Sequence, residues 1–234
     1  MKPRPVRKLD PEATLVENAA RIVRTRLDEM RSFAPAALHP ECANDQHDLR
    51  IAAKRLRYVL ESTGFCFGDT ADTARRRARD VQSVLGDLHD CDLMLPRVTR
   101  HVERLRAEDA AALRAGSRAE LEPGPVAEAP HRTAYRGLQV LAVNVQARRG
   151  MLFERFVELW GELEDRRVWD RLERAIERGL RDARQRRAAA ERAAKATREL
   201  EQAERAEREA ADRARRAARA LDEARRIQRP RDQL

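Results

Sequence analysis

The sequence predicts an all-α protein, a helical bundle followed by a long charged C-terminal helix. Three observations carry that expectation. Aromatic residues make up only 4% of the chain while charged residues make up 38%. Leu, Val and Ala recur at spacings of three and four. Gly and Pro are few and gathered into short stretches, which favours helices over sheet.

The elements follow in order. Residues 10–34 read as a first helix, with Asp10 as cap and Pro11 at the first helical position; Leu15, Ala19, Ile22, Val23 and Met30 then fall at helical spacing. The stretch "FAPAALHPECAND", with Pro35 and Pro40, ends it. Asn44 or Asp45 caps a second helix over about 45–63, closed by Gly64 and Gly68. A third helix runs over about 70–94. Pro96 opens a new helical turn, and a fourth helix follows over about 97–115. "AGSRAELEPGPVAEAP" is the clearest loop in the chain. A long helix over about 131–163 aligns Leu138, Leu141, Val145, Leu152, Phe156 and Leu159 along one side. The last helix begins near Asp165 or Arg166 and sets Trp169, Leu172, Ile176 and Leu180 in one stripe.

Beyond Leu180 the stripe stops. Residues 181–228 are mostly Ala, Arg and Glu, with Leu200, Leu221 and Ile227 as the only large apolar side chains, too few for a heptad seam. Helix propensity is high there, and pairs such as Glu204–Arg208 sit at i,i+4. The expected organisation is therefore a helical domain over 10–180 and an extended helix over 181–228, lone or weakly paired. An Ala-seamed coil is the alternative for that helix.

The charge balance bounds the partners. Residues 1–9 carry four cations and no acid, and residues 181–234 carry 17 Arg and Lys against 11 Asp and Glu. The total of +9 thus leaves residues 10–180 close to neutral. A basic site in the bundle has to come from local sorting of charge, not from bulk basicity. No apolar run approaches the roughly 18 residues of a membrane span, and the basic N-terminus has no apolar stretch behind it, so no membrane association and no secretory signal are expected. Three cysteines (Cys42, Cys66 and Cys91) without CxxC spacing read as reduced core or partly buried thiols in a cytoplasmic protein.

The stretch "HDLRIAAKRLRYVLE" (47–61) is where charge is sorted. At about 100° per residue, His47, Arg50, Lys54, Arg57 and Glu61 fall within roughly 80° of one another, opposite Leu49, Ala52, Ala53, Leu56 and Leu60. Like charges at i,i+4 repel by a few tenths of a kcal/mol, so a plain solvated face would mix signs. On the next helix Arg75, Arg79, Gln82, Gly86 and His89 share a side away from Val81, Leu85 and Leu88. Gly86 inside a helix costs about 1 kcal/mol relative to Ala, and lets a helix or a ligand approach the backbone. Asp87, Asp90 and Asp92 read equally as acids that orient arginines or as ordinary surface acids. Arg97, Arg100, His101 and Arg104 share a third face. Three basic rows could line one groove if they face each other.

These residues resemble the CHAD domain family. Its signature pairs HxxRxxxKxxR on one helix with an LGxLxDxD helix soon after, and "HDLRIAAKRLRYVLE" followed by "RDVQSVLGDLHDCDLMLPRV" is similar to both halves over about 43–108. The similarity is looser over 131–180. The resemblance implies two helical bundles with a basic groove between them, which bind inorganic polyphosphate. It implies that the polyphosphate-binding residues are His47, Arg50, Lys54 and Arg57, together with Arg79 and, less directly matched, Arg75 and His89. The sequence departs from the family in holding one copy of HxxRxxxKxxR. Either the second half is degenerate, or two chains make the groove as a homodimer.

The chemistry suits that ligand. Arginines give bidentate, charge-assisted hydrogen bonds to phosphate oxygens, and lysine adds a point charge. A phosphate neighbour would raise a histidine pKa. Single-stranded nucleic acid would want aromatic platforms, and near the stripe there are only Tyr58, Phe65 and Phe67. Phosphoryl transfer needs a phosphate-cradling loop and metal-holding carboxylates; there is no GxxxxGK[ST] motif, so no enzyme activity, catalytic residue, metal site or cofactor is expected. The alternative function is a basic helical nucleic-acid-binding or scaffolding protein that works through its N-terminal arm and charged tail.

Overall fold

A computed structural model describes residues 2–116 and 123–227, with side chains up to residue 224. Among the described residues all regular structure is helical: α1 (Leu15–Ala37), α2 (Ala43–Thr63), α3 (Asp69–Ala115), α4 (Ala134–Asp165) and α5 (Val168–Ile227), with short 3-10 turns at Gly64–Cys66 and Val126–Glu128. The chain divides into two compact units, one of residues 1–180 and one from Arg181 onward.

Helix boundaries differ from the sequence reading for physical reasons. α1 does not begin at Asp10, whose carboxylate accepts the Glu12 amide at 3.0 Å and so closes a turn instead. The helix begins after Thr14, because Thr14 and Glu17 form a reciprocal capping box: the Thr14 amide donates to Glu17 Oε2 at 2.9 Å and the Glu17 amide donates to Thr14 Oγ1 at 3.3 Å. Pro35 does not end α1, which continues to Ala37. α2 starts at Ala43 with no side-chain cap, so neither Asn44 nor Asp45 fills that role.

The largest correction concerns Pro96. There is no break near 96; a single 47-residue helix runs through it. Proline in a helix interior costs roughly 3 kcal/mol and deprives the carbonyl four residues back of its partner. Packing on both sides of the proline outweighs this. Cys91, Leu95, Val98, Val102, Leu105 and Asp109 step along α3 by fours and threes, and all are buried or half-buried. They meet a matching series on α4 (Leu138, Ala142, Val145, Arg149, Leu152, Phe156), so α3 and α4 form a helical hairpin closed along a heptad-spaced seam.

The core of the first unit lies where α1, α2 and the first half of α3 meet the end of α4 and the start of α5. Leu27, Met30, Leu49, Leu56, Leu85, Phe156, Leu163, Trp169, Leu172 and Ile176 are fully buried in it. Trp160 and Trp169 close the α4–α5 turn with ring centroids 6.2 Å apart. Arg167 adopts the left-handed conformation there, at φ 48°. All three cysteines are free, Cys91 buried and the other two half-buried.

The second unit is the remainder of α5. Every described side chain from Arg184 onward is exposed. Ion pairs at i,i+4 run along it, among them Arg187–Glu191 at 3.1 Å, Arg205–Glu209 at 3.1 Å and Glu204–Arg208 at 3.8 Å. Such exposed pairs are worth a few tenths of a kcal/mol each, so propensity carries most of this helix.

One buried charge fastens the first unit. Glu29 on α1 is only 3% exposed. It binds Arg26 at 2.6 Å, Arg55 of α2 at 2.9 Å and the Arg4 amide at 3.0 Å. Burial alone would raise the Glu29 pKa; the Arg4 amide and the two guanidiniums act against it, and the net position is below the usual 4.5. Glu29→Ala is expected to destabilise the protein by about 3 kcal/mol, because it removes the buried carboxylate that Arg26, Arg55 and the Arg4 amide share, whereas Arg76→Ala on the surface should cost less than about 0.5 kcal/mol. Urea unfolding checks both. Since the folded pKa is depressed, the Glu29 contribution is present above the unfolded value of 4.5 and is lost as pH falls through the folded pKa.

A basic seam between α2 and α3

α2 is flanked on both sides. Its apolar positions and Arg55 face α1 and the core, and the HxxRxxxKxxR side faces α3 rather than open solvent. His47 and His89 stack with ring centroids 4.4 Å apart. Three residues further along α2, and three back along α3, Arg50 Nε lies 3.4 Å from where a Cβ on Gly86 would sit. The two contacts step in opposite directions, as antiparallel neighbours must. Gly86 is therefore the place where the Arg50 guanidinium comes within van der Waals reach of the facing helix, and a side chain longer than a methyl group there would have to share its space.

Further along the seam, Arg57 Nε donates to Gln82 Oε1 at 3.0 Å, and its Nη1 binds Glu61 at 2.9 Å. The Arg57 guanidinium lies 4.3 Å from the Tyr58 ring centre, and Lys54 Nζ lies 5.8 Å from it, so Tyr58 serves as a cation–π floor. Arg79 is exposed and forms no ion pair or hydrogen bond among the described residues. Arg75 is drawn away: Asp72 holds it at 2.6 Å. It lines a recess of about 400 Å³ shared with Glu61, Asp69 and Asp72, an acidic setting. The seam thus brings together His47, Arg50, Lys54, Arg57 and His89, has Arg79 on its exposed border, and leaves Arg75 in an ion pair.

Three buried atoms have no hydrogen-bond partner among the described residues: His47 Nδ1 and Arg50 Nε, both in the seam, and Trp169 Nε1 in the core. Other arginines of this unit sit on acids: Arg26 and Arg55 on Glu29, Arg31 on Asp170 and Glu173, Arg77 on Asp80. Arg50 and Lys54 have no such acid. Asp92, one of the three acids of "DLHDCD", does orient an arginine: it binds Arg149 of α4 at 2.6 Å. Arg149 also donates to Pro40 O at 3.0 Å and to Oε1 of the buried Gln46 at 3.2 Å, and Gln46 Nε2 donates to His39 O at 2.8 Å. This clamp holds the start of α2, and so His47, against α3 and α4.

Sequence reasoning missed the Gln46–Arg149 clamp and the Arg55–Glu29 pair, because both link residues far apart in the chain. Arg97, Arg100, His101 and Arg104 do not form a separate helix with its own basic row. They lie on the continuation of α3, where Arg104 bonds His101 at 3.0 Å and Arg100 donates to Pro96 O at 3.3 Å. Among the described residues, no group of three or more His, Cys, Asp or Glu is arranged to hold a metal ion, and no helix is long and apolar enough to cross a membrane.

An all-α bundle with a cation-rich seam between two antiparallel helices is the class of structure these residues define. The comparison with protein families is more specific: residues 3–99 match the family model described as CHAD domain. The matched segment runs from the N-terminal arm through α1 and α2 to just past Pro96, and contains all seven candidate residues. That segment is similar to CHAD domains; the match does not extend to 131–180, where the resemblance is looser. No curated protein and no solved structure matches the chain.

Burial first, and then the neighbouring His89 and Arg50, hold the His47 pKa below the usual 6.5, with Asp48 pulling the other way. A histidine depressed in the folded state binds fewer protons than in the unfolded chain, so its penalty is absent above 6.5 and grows as pH falls below it, until the folded pKa is passed. The thermal midpoint should therefore begin to drop as pH falls below 6.5 in the parent and drop less in His47→Gln, a window that opens above that of Glu29. Calorimetry across that range checks it.

Proposed function

We propose that the α2–α3 seam binds inorganic polyphosphate, and that the protein is a non-catalytic, cytoplasmic polyphosphate-binding protein. The observation that carries this reading is Arg50, a half-buried guanidinium laid against Gly86 with no acid beside it. A half-buried cation without a protein partner loses hydration for nothing unless an anion compensates it. Lys54, Arg79 and the two stacked histidines extend the same row. The CHAD match over the residues that build the seam supports the ligand class. A phosphate chain offers successive charges and no base to read, and a ladder of guanidinium and ammonium groups one turn apart suits it. Arg57 reaches the ligand only by sharing or leaving Glu61. No residue is assigned a reacting role.

Arg50→Ala and Lys54→Ala are expected to weaken polyphosphate binding by about 1–3 kcal/mol each, and Arg57→Ala by the lower end of that range. Arg50→Lys should also lose affinity, since lysine cannot make the bidentate contact. Circular dichroism of Arg50→Ala separates lost binding from lost packing. Substituting Arg213, Arg215 and Arg216 in α5 by Ala should matter much less. Affinity should fall steeply with salt, with a shallower slope in each seam variant, and polyphosphate should raise the His47 pKa read by NMR. Equal losses in the tail and seam variants, or displacement of polyphosphate by single-stranded nucleic acid at equal phosphate concentration, would point instead to bulk electrostatics or nucleic-acid binding.

A further inference from the structure

α4 carries a second apolar face, and nothing in the seam between α2 and α3 uses it. Opposite the residues that meet α3, the helix presents Val140, Val143, Ala147 and Met151, and Val140, Val143 and Met151 are 62%, 62% and 71% exposed. Residues 137–147, "GLQVLAVNVQA", form the longest stretch of the sequence without a charge, in a chain that is 38% charged. A helix with one face in water normally puts its charges there; three turns with none on any side describe a helix covered on both sides. The glycines point the same way. Gly137, Gly150 and Gly161 each cost about 1 kcal/mol relative to Ala in a helix, yet a Cβ on any of them would meet nothing within 4 Å. No contact inside the described residues explains them; close approach of another helix accounts for Gly137 and Gly150, which flank the stripe, and not for Gly161.

The pattern identifies the other helix. About a point between Val143 and Asn144 the outer face is nearly self-complementary when reversed: Val140 falls opposite Ala147, and Gly137 opposite Gly150. The exposed charge that precedes this stripe is basic, Arg136, and those that follow it are the acids Glu154 and Glu158 with Arg155 between them. Glu158 takes part in an exposed pair with Arg155 at 3.4 Å, while Arg136 and Glu154 have no ion-pair partner among the described residues. Two copies laid antiparallel would set apolar stripe on apolar stripe, large on small, and the basic end of each against the acidic end of the other.

We propose that α4 is the interface of a homodimer, in which the outer faces of two α4 helices pack antiparallel about a two-fold axis near Val143 and Asn144. Two hairpins of α3 and α4 then make a four-helix layer, and the exposed valines become core. None of the seam cations lies on this face, so the dimer stands or falls independently of polyphosphate binding.

Sedimentation equilibrium of the full chain tests it. The parent should be dimeric at micromolar concentration, and Val143→Glu monomeric, with unchanged helical circular dichroism. Arg136→Glu and Glu154→Arg should each weaken the dimer at least tenfold, and together restore it. Near the axis Asn144→Cys should form an inter-chain disulfide on mild oxidation, read against the parent's own three cysteines. Val140→Cys and Ala147→Cys should link when mixed but not alone. A monomeric parent, a dimer indifferent to Val143→Glu, or self-linking of Val140→Cys alone would overturn the proposal. The second result would place association elsewhere, such as the α5 extension, and the third would make the helices parallel. A parent that becomes dimeric only when residues 181–234 are deleted would also overturn it, since the chain's own α5 extension would then be covering the stripe.

Discussion

The contact of the Arg50 guanidinium with the backbone of Gly86 sets the geometry on which the seam depends. With His47 against His89 and Arg57 on Gln82, it belongs to a series of contacts that steps forward along α2 and back along α3, as an antiparallel pair in one register must. Once that register is set, His47 must meet His89, Arg57 must meet Gln82, and Lys54 must fall between them over Tyr58. Arg57 is thereby shared with Glu61, whereas Arg50 and Lys54 have no ion-pair partner among the described residues. Both are half-buried, at a depth where a charge is screened less than in open water.

Holding cations in this way is costly, and the surrounding structure compensates. Like charges on one helix repel, and a histidine among arginines is kept neutral. The opposing stabilisation comes from two ion-pair clusters on either side of α2. Glu29 secures its α1 side through Arg55, and Asp92 with Arg149 secures its N-terminus through Gln46. Both clusters are partly or largely buried, and both use arginine, whose fork can satisfy several acceptors at once. Positive charge is thus sorted by partner: arginines that brace the bundle have acids, and the cations in line with Arg50 on the HxxRxxxKxxR row largely do not.

How much of this was legible beforehand varies with the range of the interaction. Helical class, the number of apolar stripes and the common side of His47, Arg50, Lys54 and Arg57 follow from periodicity, which is local. That Gly86 admits close approach was also readable, because glycine in a helix has few other reasons. What the row faces was not readable, since the answer lies on α3 and depends on tertiary register. Pro96 misled for a related reason. Proline is a local breaker, but the α3–α4 seam runs along both sides of it, and local preference yields to that packing. Arg75 was grouped with the others by angle alone; Asp72, three residues earlier, captures it.

The uninterrupted passage of α3 through Pro96 has a mechanical consequence. At 1.5 Å per residue a helix of this length is roughly 70 Å long; α4 accompanies both of its halves, whereas α2 flanks the first alone. The proline removes the amide that would otherwise bond the carbonyl of Asp92, the residue whose side chain grips Arg149. α3 is therefore a beam with its softest joint beside its firmest clamp. Strain applied to the α4 end is concentrated at that joint and passed, through Arg149 and Gln46, to the first turn of α2.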